Sequence, residues 1–298
     1  MSIPLAMVAT QFLDRPGLAK KTVKSYEHTL MPLLSEYGSW PIEICDRAIL
    51  MDYLDGLSHL AYTTHHRHQA IIQALFNYAV EQQHIKANPI AKLKRRKPDV
   101  DKGEHNSDET IRYLTPDQLN QMYRVVETDC RTHTIVRLLH RSGARISEVL
   151  ALDLKQVDLK QQKFQVIGKG NKQRWCFYSD DAAQMLTRYL KHYRHQRSSA
   201  LFTAQQPIAG FISRLSYRTV HQNWRQLIVD IPALEGARLH DLRHTFATER
   251  VGLMGIEELR ALMGHESIMT TLRYQKVTSA RAETVAQNAF KKLDQKNI

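Results

Sequence analysis

Phe164-Gln-Val-Ile167, Gly168-Lys-Gly-Asn171 and Gln173-Arg-Trp-Cys-Phe-Tyr178 stand almost end to end, and from Val157 to Tyr178 the residue pattern takes on a period of two. Two β-rich runs around a glycine turn read as a hairpin. Upstream, Leu114-Thr-Pro-Asp117 restarts order, with Thr115 placed to cap a helix and Pro116 suited to its first turn. Helices are expected from Leu119 to Val126, Thr132 to Arg141 and Arg145 to Leu150, and helical pattern returns from Asp181 and dominates to the end. The chain is therefore mainly α with a small antiparallel β-sheet.

A second helical region precedes this one, from Thr22 to about Ala91. The segment Thr22 to Tyr37 sets Val23, Tyr26, Leu30, Leu33 and Leu34 on one stripe, and Thr63 to Gln82 does the same with Ala70, Ile71, Ala74, Leu75 and Tyr78. Between the regions lies Lys92-Leu-Lys-Arg-Arg-Lys97, then Pro98 and a polar stretch to about Arg112 whose composition does not pack a core. The expected divisions are a helical domain over 1–91, a basic linker over 92–112, a second domain over 113–278 and a terminal helix over 279–298. No internal repeat is present.

Lys and Arg number 42 against 30 Asp and Glu, a net charge of +12, and that sign attracts a polyanion, nucleic acid first. Contact with phosphates is the reading for Lys94, Arg95, Arg96 and Lys97 in the linker. Thr63-Thr-His-His-Arg-His68 opens a helix with a wet face, and Thr64, Arg67 and His68 are its candidates for a DNA groove. Three scattered cysteines, Cys45, Cys130 and Cys176, argue against a disulfide framework and fit a reducing cytoplasm. The run Ile3 to Ala9 lacks a basic flank and is short for a signal peptide, and nowhere do about 18 apolar residues follow one another. No membrane role is expected.

The chain lacks the spacings of a P-loop, of H-E-x-x-H and of G-x-S-x-G. His240 and His244, at i and i+4, have no nearby Glu or Cys to complete a zinc site, so no metal is expected. Four segments instead offer groups suited to a phosphodiester: Ser142-Gly-Ala-Arg145-Ile-Ser-Glu148, Gly168-Lys169-Gly-Asn-Lys172, His240-Asp-Leu-Arg243-His244, and Leu262-Met-Gly-His265 followed by Tyr274. Singly each is weak. Arg145 can simply pair with Glu148, Lys169 can be a hairpin tip in solvent, and Tyr274 can be a half-buried aromatic.

Taken together, in this order, they resemble the tyrosine recombinase (phage integrase) family, in its compact, two-domain, Xer-like form. The resemblance runs from about Thr22 to Val277. It implies a helical core-binding (SAM-like) domain followed by a tyrosine recombinase catalytic domain. It matches the family's catalytic positions to Arg145, Lys169, His240, Arg243, His265 and Tyr274. Beside them, Glu148 is an accessory candidate, and Lys172 and Arg174 next to the hairpin turn are candidate DNA contacts. Two departures are visible: 249–263 is slightly compressed, and Tyr274-Gln-Lys replaces a more familiar Tyr-x-His. With only about 20 residues ahead of Thr22, an additional arm-binding domain is not expected.

The chemistry fits those residue types. Attack on a phosphodiester gathers charge on two non-bridging oxygens, which the guanidinium forks of Arg145 and Arg243 can meet, with His265 as a third donor. A tyrosine of pKa near 10 needs a cationic cradle and an acceptor, a role assigned to His240, and Lys169 is the candidate acid for the leaving 5′-oxygen. The resemblance implies a 3′-phosphotyrosyl intermediate, which stores the energy of the broken bond without ATP, metal or cofactor. It further implies a C-shaped clamp on double-stranded DNA bearing specific recombination sites, and strand exchange through a Holliday junction by a homo-tetramer or one shared with a related recombinase. The expected location is the cytoplasm, on the nucleoid. Ala282, Val285, Ala286, Ala289, Phe290 and Leu293 form an apolar stripe suited to docking on a neighbouring subunit. A type IB topoisomerase and a catalytically silent DNA-binding regulator are the competing readings.

Overall fold

The computed structural model describes residues 2–99, 101, 104, 111–168, 172–205 and 211–275. The chain divides into two compact units, Met1–Thr110 and Ile111–Ile298. Lys169 and the terminal stripe from Ala282 to Leu293 lie outside the described residues.

The first unit holds four helices: α1 (Leu5–Asp14), α2 (Lys20–Tyr37), α3 (Arg47–Gly56) and α4 (Tyr62–Glu81). Its core joins Leu5, Val8, Ala9 and Phe12 of α1 to Leu30 and Leu33 of α2, Leu50 and Leu54 of α3, and Ile72, Leu75 and Phe76 of α4. The apolar run near the start is thus a core helix, which the sequence reading passes over. Helix α4 also sits differently from the expected stripe. Ala70 is exposed, while His65 and Gln69 are buried. Each has a partner: His65 Nε2 lies 2.9 Å from the Leu54 carbonyl and Gln69 Nε2 donates to the Leu93 carbonyl at 2.9 Å. A buried polar group with a bond is cheap, so burial follows these partners rather than hydropathy.

Those bonds change the picture of the basic run. Leu93 packs against the first core, and Arg96 donates to both carboxylate oxygens of Glu104 and to the Leu60 carbonyl. Described residues of the stretch expected as a linker are therefore fastened inside the first unit. Lys94, Arg95 and Lys97 remain exposed.

The second unit contains α5 (Pro116–Val126), α6 (Cys130–Ser142), α7 (Ile146–Ala151), strands β1 (Val157–Asp158), β2 (Lys163–Ile167) and β3 (Gln173–Phe177), then α8 (Asp180–His192), α9 (Tyr217–Ile228), α10 (Asp241–Arg250), α11 (Ile256–Met263) and α12 (Ile268–Leu272). At the start of α5, Thr115 Oγ1 accepts from the Gln118 backbone while the Gln118 side chain accepts from Thr115, a reciprocal capping box. Helix α6 is buried on almost every side and packs against α5, α7, α8, α9 and α10, so it is the axis of the unit. The sheet is antiparallel in the order β1-β2-β3, with Gln165 opposite Trp175. Phe164, Val166 and Cys176 point into the core; Ile167, Trp175 and Phe177 face outward. The three cysteines are free and buried. Among the described residues no helix is long and apolar enough to cross a membrane.

Candidate active site

Gly143 ends α6 in a left-handed conformation, φ +64, and a Cβ there would lie 2.4 Å from the Phe246 ring of α10. Only glycine makes this turn at this spacing. The turn delivers Arg145 to the start of α7, where its backbone N–H donates to Glu148 Oε2 at 2.8 Å and its guanidinium to Glu148 Oε1 at 3.0 Å. From β3, Arg174 adds a two-pronged bond to the same carboxylate, 2.9 Å to Oε1 and 2.7 Å to Oε2, and its Nε donates to the Leu262 carbonyl at 3.1 Å.

Arg243 comes from α10, which lies against α6, and is almost fully buried. Its Nη1 donates to the Gly143 carbonyl and its Nη2 to the Met263 carbonyl at 2.6 Å, with His265 Nε2 at 3.0 Å. The end of α11 turns at Gly264, φ +63, and the turn presents His265. His265 Nδ1 lies 2.9 Å from Thr271 Oγ1 of α12. Tyr274 follows α12. Its ring runs parallel to that of His265, centroids 6.2 Å apart, and its hydroxyl is 3.0 Å from His244 Nδ1. His240 is exposed and meets His244 edge-on, centroids 4.8 Å apart.

These surroundings set the charge states. Burial would raise the Glu148 carboxyl, but the Arg174 bonds, the Arg145 backbone N–H and the charges of both arginines bring it down to about 2, so it is ionised. Burial and the nearby Arg145 lower Arg243 to about 10, which leaves it charged at neutral pH. Burial and the Arg243 charge press His265 down to about 3, and burial with His240 presses His244 to about 4, so both imidazoles are neutral. Burial raises the Tyr274 phenol above its ordinary value, against the pull of Arg243, Arg273 and Arg145. Although its ring reaches solvent, the protein packed around His240 and the Arg243 charge lower its pKa.

An open cleft of about 480 Å³ borders this group, lined among others by Arg145, Lys172, Arg174, Arg260, His265 and Ser267. Of Arg145, Arg174 and Arg243, Arg145 is the accessible guanidinium, with 36% of its side chain exposed, and among the described residues it spends one side-chain N–H on Glu148. Cations converge there on a space that suits an oxyanion.

Several expected site residues have intramolecular partners. The ring within hydrogen-bond distance of the phenol is that of His244, one helical turn along from His240, whose own ring is exposed. His265, expected as a third donor, has both ring nitrogens engaged, by Arg243 and Thr271. Arg174, expected to touch DNA, has its guanidinium committed to Glu148 and only 12% of its side chain exposed. Arg96 is likewise committed to Glu104.

On α4 the wet face is smaller than expected. Thr64 is exposed, Arg67 donates to the Ser25 carbonyl at 3.3 Å, and His68 is half-buried with Nδ1 unpartnered among the described residues. Lys172 is exposed at the cleft. Sequence reading does not single out Arg260 or the partnership of His244 with Tyr274; the i, i+4 spacing from His240 is the signal, weighed there for zinc and set aside.

Residues 112–281 match the phage integrase family. Tyrosine recombinase XerC of Lactobacillus delbrueckii subsp. bulgaricus is 27% identical over 272 residues, covering 87% of this chain and 88% of that one. The Tn1549 transposon integrase, solved in complex with transposon right end DNA, superposes with a TM-score of 0.75 at 20% identity over 96% of this chain and all of that one. A lambda integrase, solved as a tetramer bound to a Holliday junction, superposes with a TM-score of 0.67 at 15% identity over 89% of this chain and 78% of that one. At such identities the structural likeness is one of fold.

Proposed function

The chain belongs to the phage integrase family, and from that premise we propose that it is a tyrosine site-specific recombinase that cuts and rejoins DNA through a 3′-phosphotyrosyl intermediate. The observation that carries this reading is the stacking of Tyr274 on His265, whose Nε2 is 3.0 Å from Arg243, beside the cleft that Arg145 borders. In the proposed step, Tyr274 Oη attacks phosphorus, its proton leaving to the His244–His240 pair beside it, and the P–O5′ bond breaks. Arg145 and Arg243 meet the charge that gathers on the non-bridging oxygens. Glu148 and Arg174 hold Arg145 from behind. Lys169 donates the proton to the departing 5′-oxygen. The free 5′-hydroxyl of a partner strand then attacks the phosphotyrosyl ester, which conserves the bond energy.

Double-stranded DNA is the partner, and the net charge of +12 supports its capture. Assembly as four protomers on a Holliday junction is part of the proposal, supported by the apolar stripe from Ala282 to Leu293 in the sequence. Deleting the residues after Val277 is expected to leave binding to one site and to abolish cooperative binding in a gel shift.

The deciding experiment is Tyr274→Phe on a nicked suicide substrate. DNA binding is expected to persist while the covalent protein–DNA adduct disappears. An adduct that survives the substitution reassigns the nucleophile, and relaxation of supercoiled DNA without any site requirement would favour a topoisomerase.

A further inference from the structure

Two torsions separate the Tyr274 hydroxyl from its backbone, and the parallel His265 ring fixes the plane of the phenol without fixing where the hydroxyl points. Among the described residues the hydroxyl meets His244 Nδ1 at 3.0 Å, and this ring is itself braced edge-on by His240. His244 sits on α10 beside Arg243, so one helix carries both the guanidinium proposed for the phosphate and the imidazole that touches the proposed attacking oxygen. We propose that His244 is a positioning residue for the nucleophile: its Nδ1 receives the phenolic O–H and aims Tyr274 Oη, while His240 steadies the imidazole from the solvent side. This rests on the reading of Tyr274 as nucleophile. The bond joins residues thirty positions apart, from α10 and the segment after α12, so it also ties the nucleophile-bearing segment to the helix that carries Arg243.

The tests separate the polar atom from the shape of the ring. His244→Phe keeps a ring and removes the nitrogen. His244→Asn places an amide atom near the position of Nδ1, and His244→Gln places it near that of Nε2. Single-turnover adduct formation on the nicked substrate, at saturating full-length protein, is expected to slow at least about tenfold in the Phe and Gln variants and to stay within about threefold of the wild type in the Asn variant.

DNA binding by gel shift is expected to be unchanged in all three. A Phe variant that cleaves at the wild-type rate overturns the proposal, as does an Asn variant as slow as the Gln variant. Where the Phe variant fails to fold, the Asn and Gln comparison decides by itself. Tyr274→Phe distinguishes the two levels: an adduct that survives it removes the nucleophile reading, whereas an adduct lost with it but indifferent to His244→Phe removes only the role of His244.

Discussion

Arg174 grips Glu148 through two parallel bonds of 2.9 and 2.7 Å, and the same carboxylate holds the side chain and the backbone N–H of Arg145. One buried anion therefore fixes two cations in place. Because Arg174 also donates to the Leu262 carbonyl, the brace ties the hairpin to α7 and to the end of α11, next to the turn that presents His265. Arg145 borders the cleft with its geometry set from behind.

Breaking that brace from one side is expected to cost more than exchanging it. Arg174→Ala leaves a carboxylate that is 6% exposed without its main partner, and a loss of about 3 kcal/mol in unfolding free energy is expected. Urea unfolding measures it, and a double-mutant cycle with Glu148→Gln should return a coupling well above that of a surface pair. A change within the range of a surface substitution contradicts the brace.

Gly264 has φ +63, and a Cβ there would stand 2.8 Å from Arg174 Nε and 2.9 Å from its Cδ. Gly264→Ala therefore combines left-handed strain with displacement of the brace. A loss of about 2 kcal/mol is expected on thermal or denaturant unfolding, with slower DNA cleavage, because His265 follows directly. Retained stability together with full cleavage would show that the turn tolerates a side chain.

Acid should destabilise the fold in a defined window. His265 and His244 are neutral in the folded chain down to about 3 and about 4, whereas an unfolded histidine protonates near 6.5. Their contribution is complete above pH 6.5 and is lost as the pH falls through the folded values. Glu148 acts with the same sign lower down, from its ordinary 4.5 towards about 2. Unfolding free energy is expected to decline from pH 7 to pH 4, and His265→Asn should flatten the slope. A wild-type profile that stays level across that range runs against the neutral imidazoles.

The basic run should divide into two kinds of residue. Lys94, Arg95 and Lys97 are exposed, so replacing each by Gln is expected to weaken DNA binding whatever the sequence and to reduce the salt slope by about one for each phosphate left without its cation. Arg96 is held by Glu104, and its replacement should show first as a loss of order in the first unit, read by proteolysis. Equal salt slopes for all four variants would erase the distinction.

The hairpin, the capped start of α5 and the succession of helices were legible because each depends on neighbours within a few positions: alternation, a glycine turn, a Thr-Pro start. The face of α4 was not. Periodicity counts apolar side chains, and it cannot register that His65 and Gln69 find carbonyl partners at Leu54 and Leu93 and so turn inward. Helix α1 went unread for a similar reason, since Leu5, Val8, Ala9 and Phe12 become a core face only against α2 and α4.

By itself the sequence determined the family and the order of the chemical groups along the chain, because residue types and spacing are properties of the covalent chain. The tertiary structure alone decided which atoms meet: His244 at the phenol, Arg174 on Glu148, and His265 bonded through both nitrogens. Such pairings turn on the rotation of α10, the seat of β3 and the path after α12. Segments far apart in sequence set these jointly through packing, at distances where a single helical turn changes the partner.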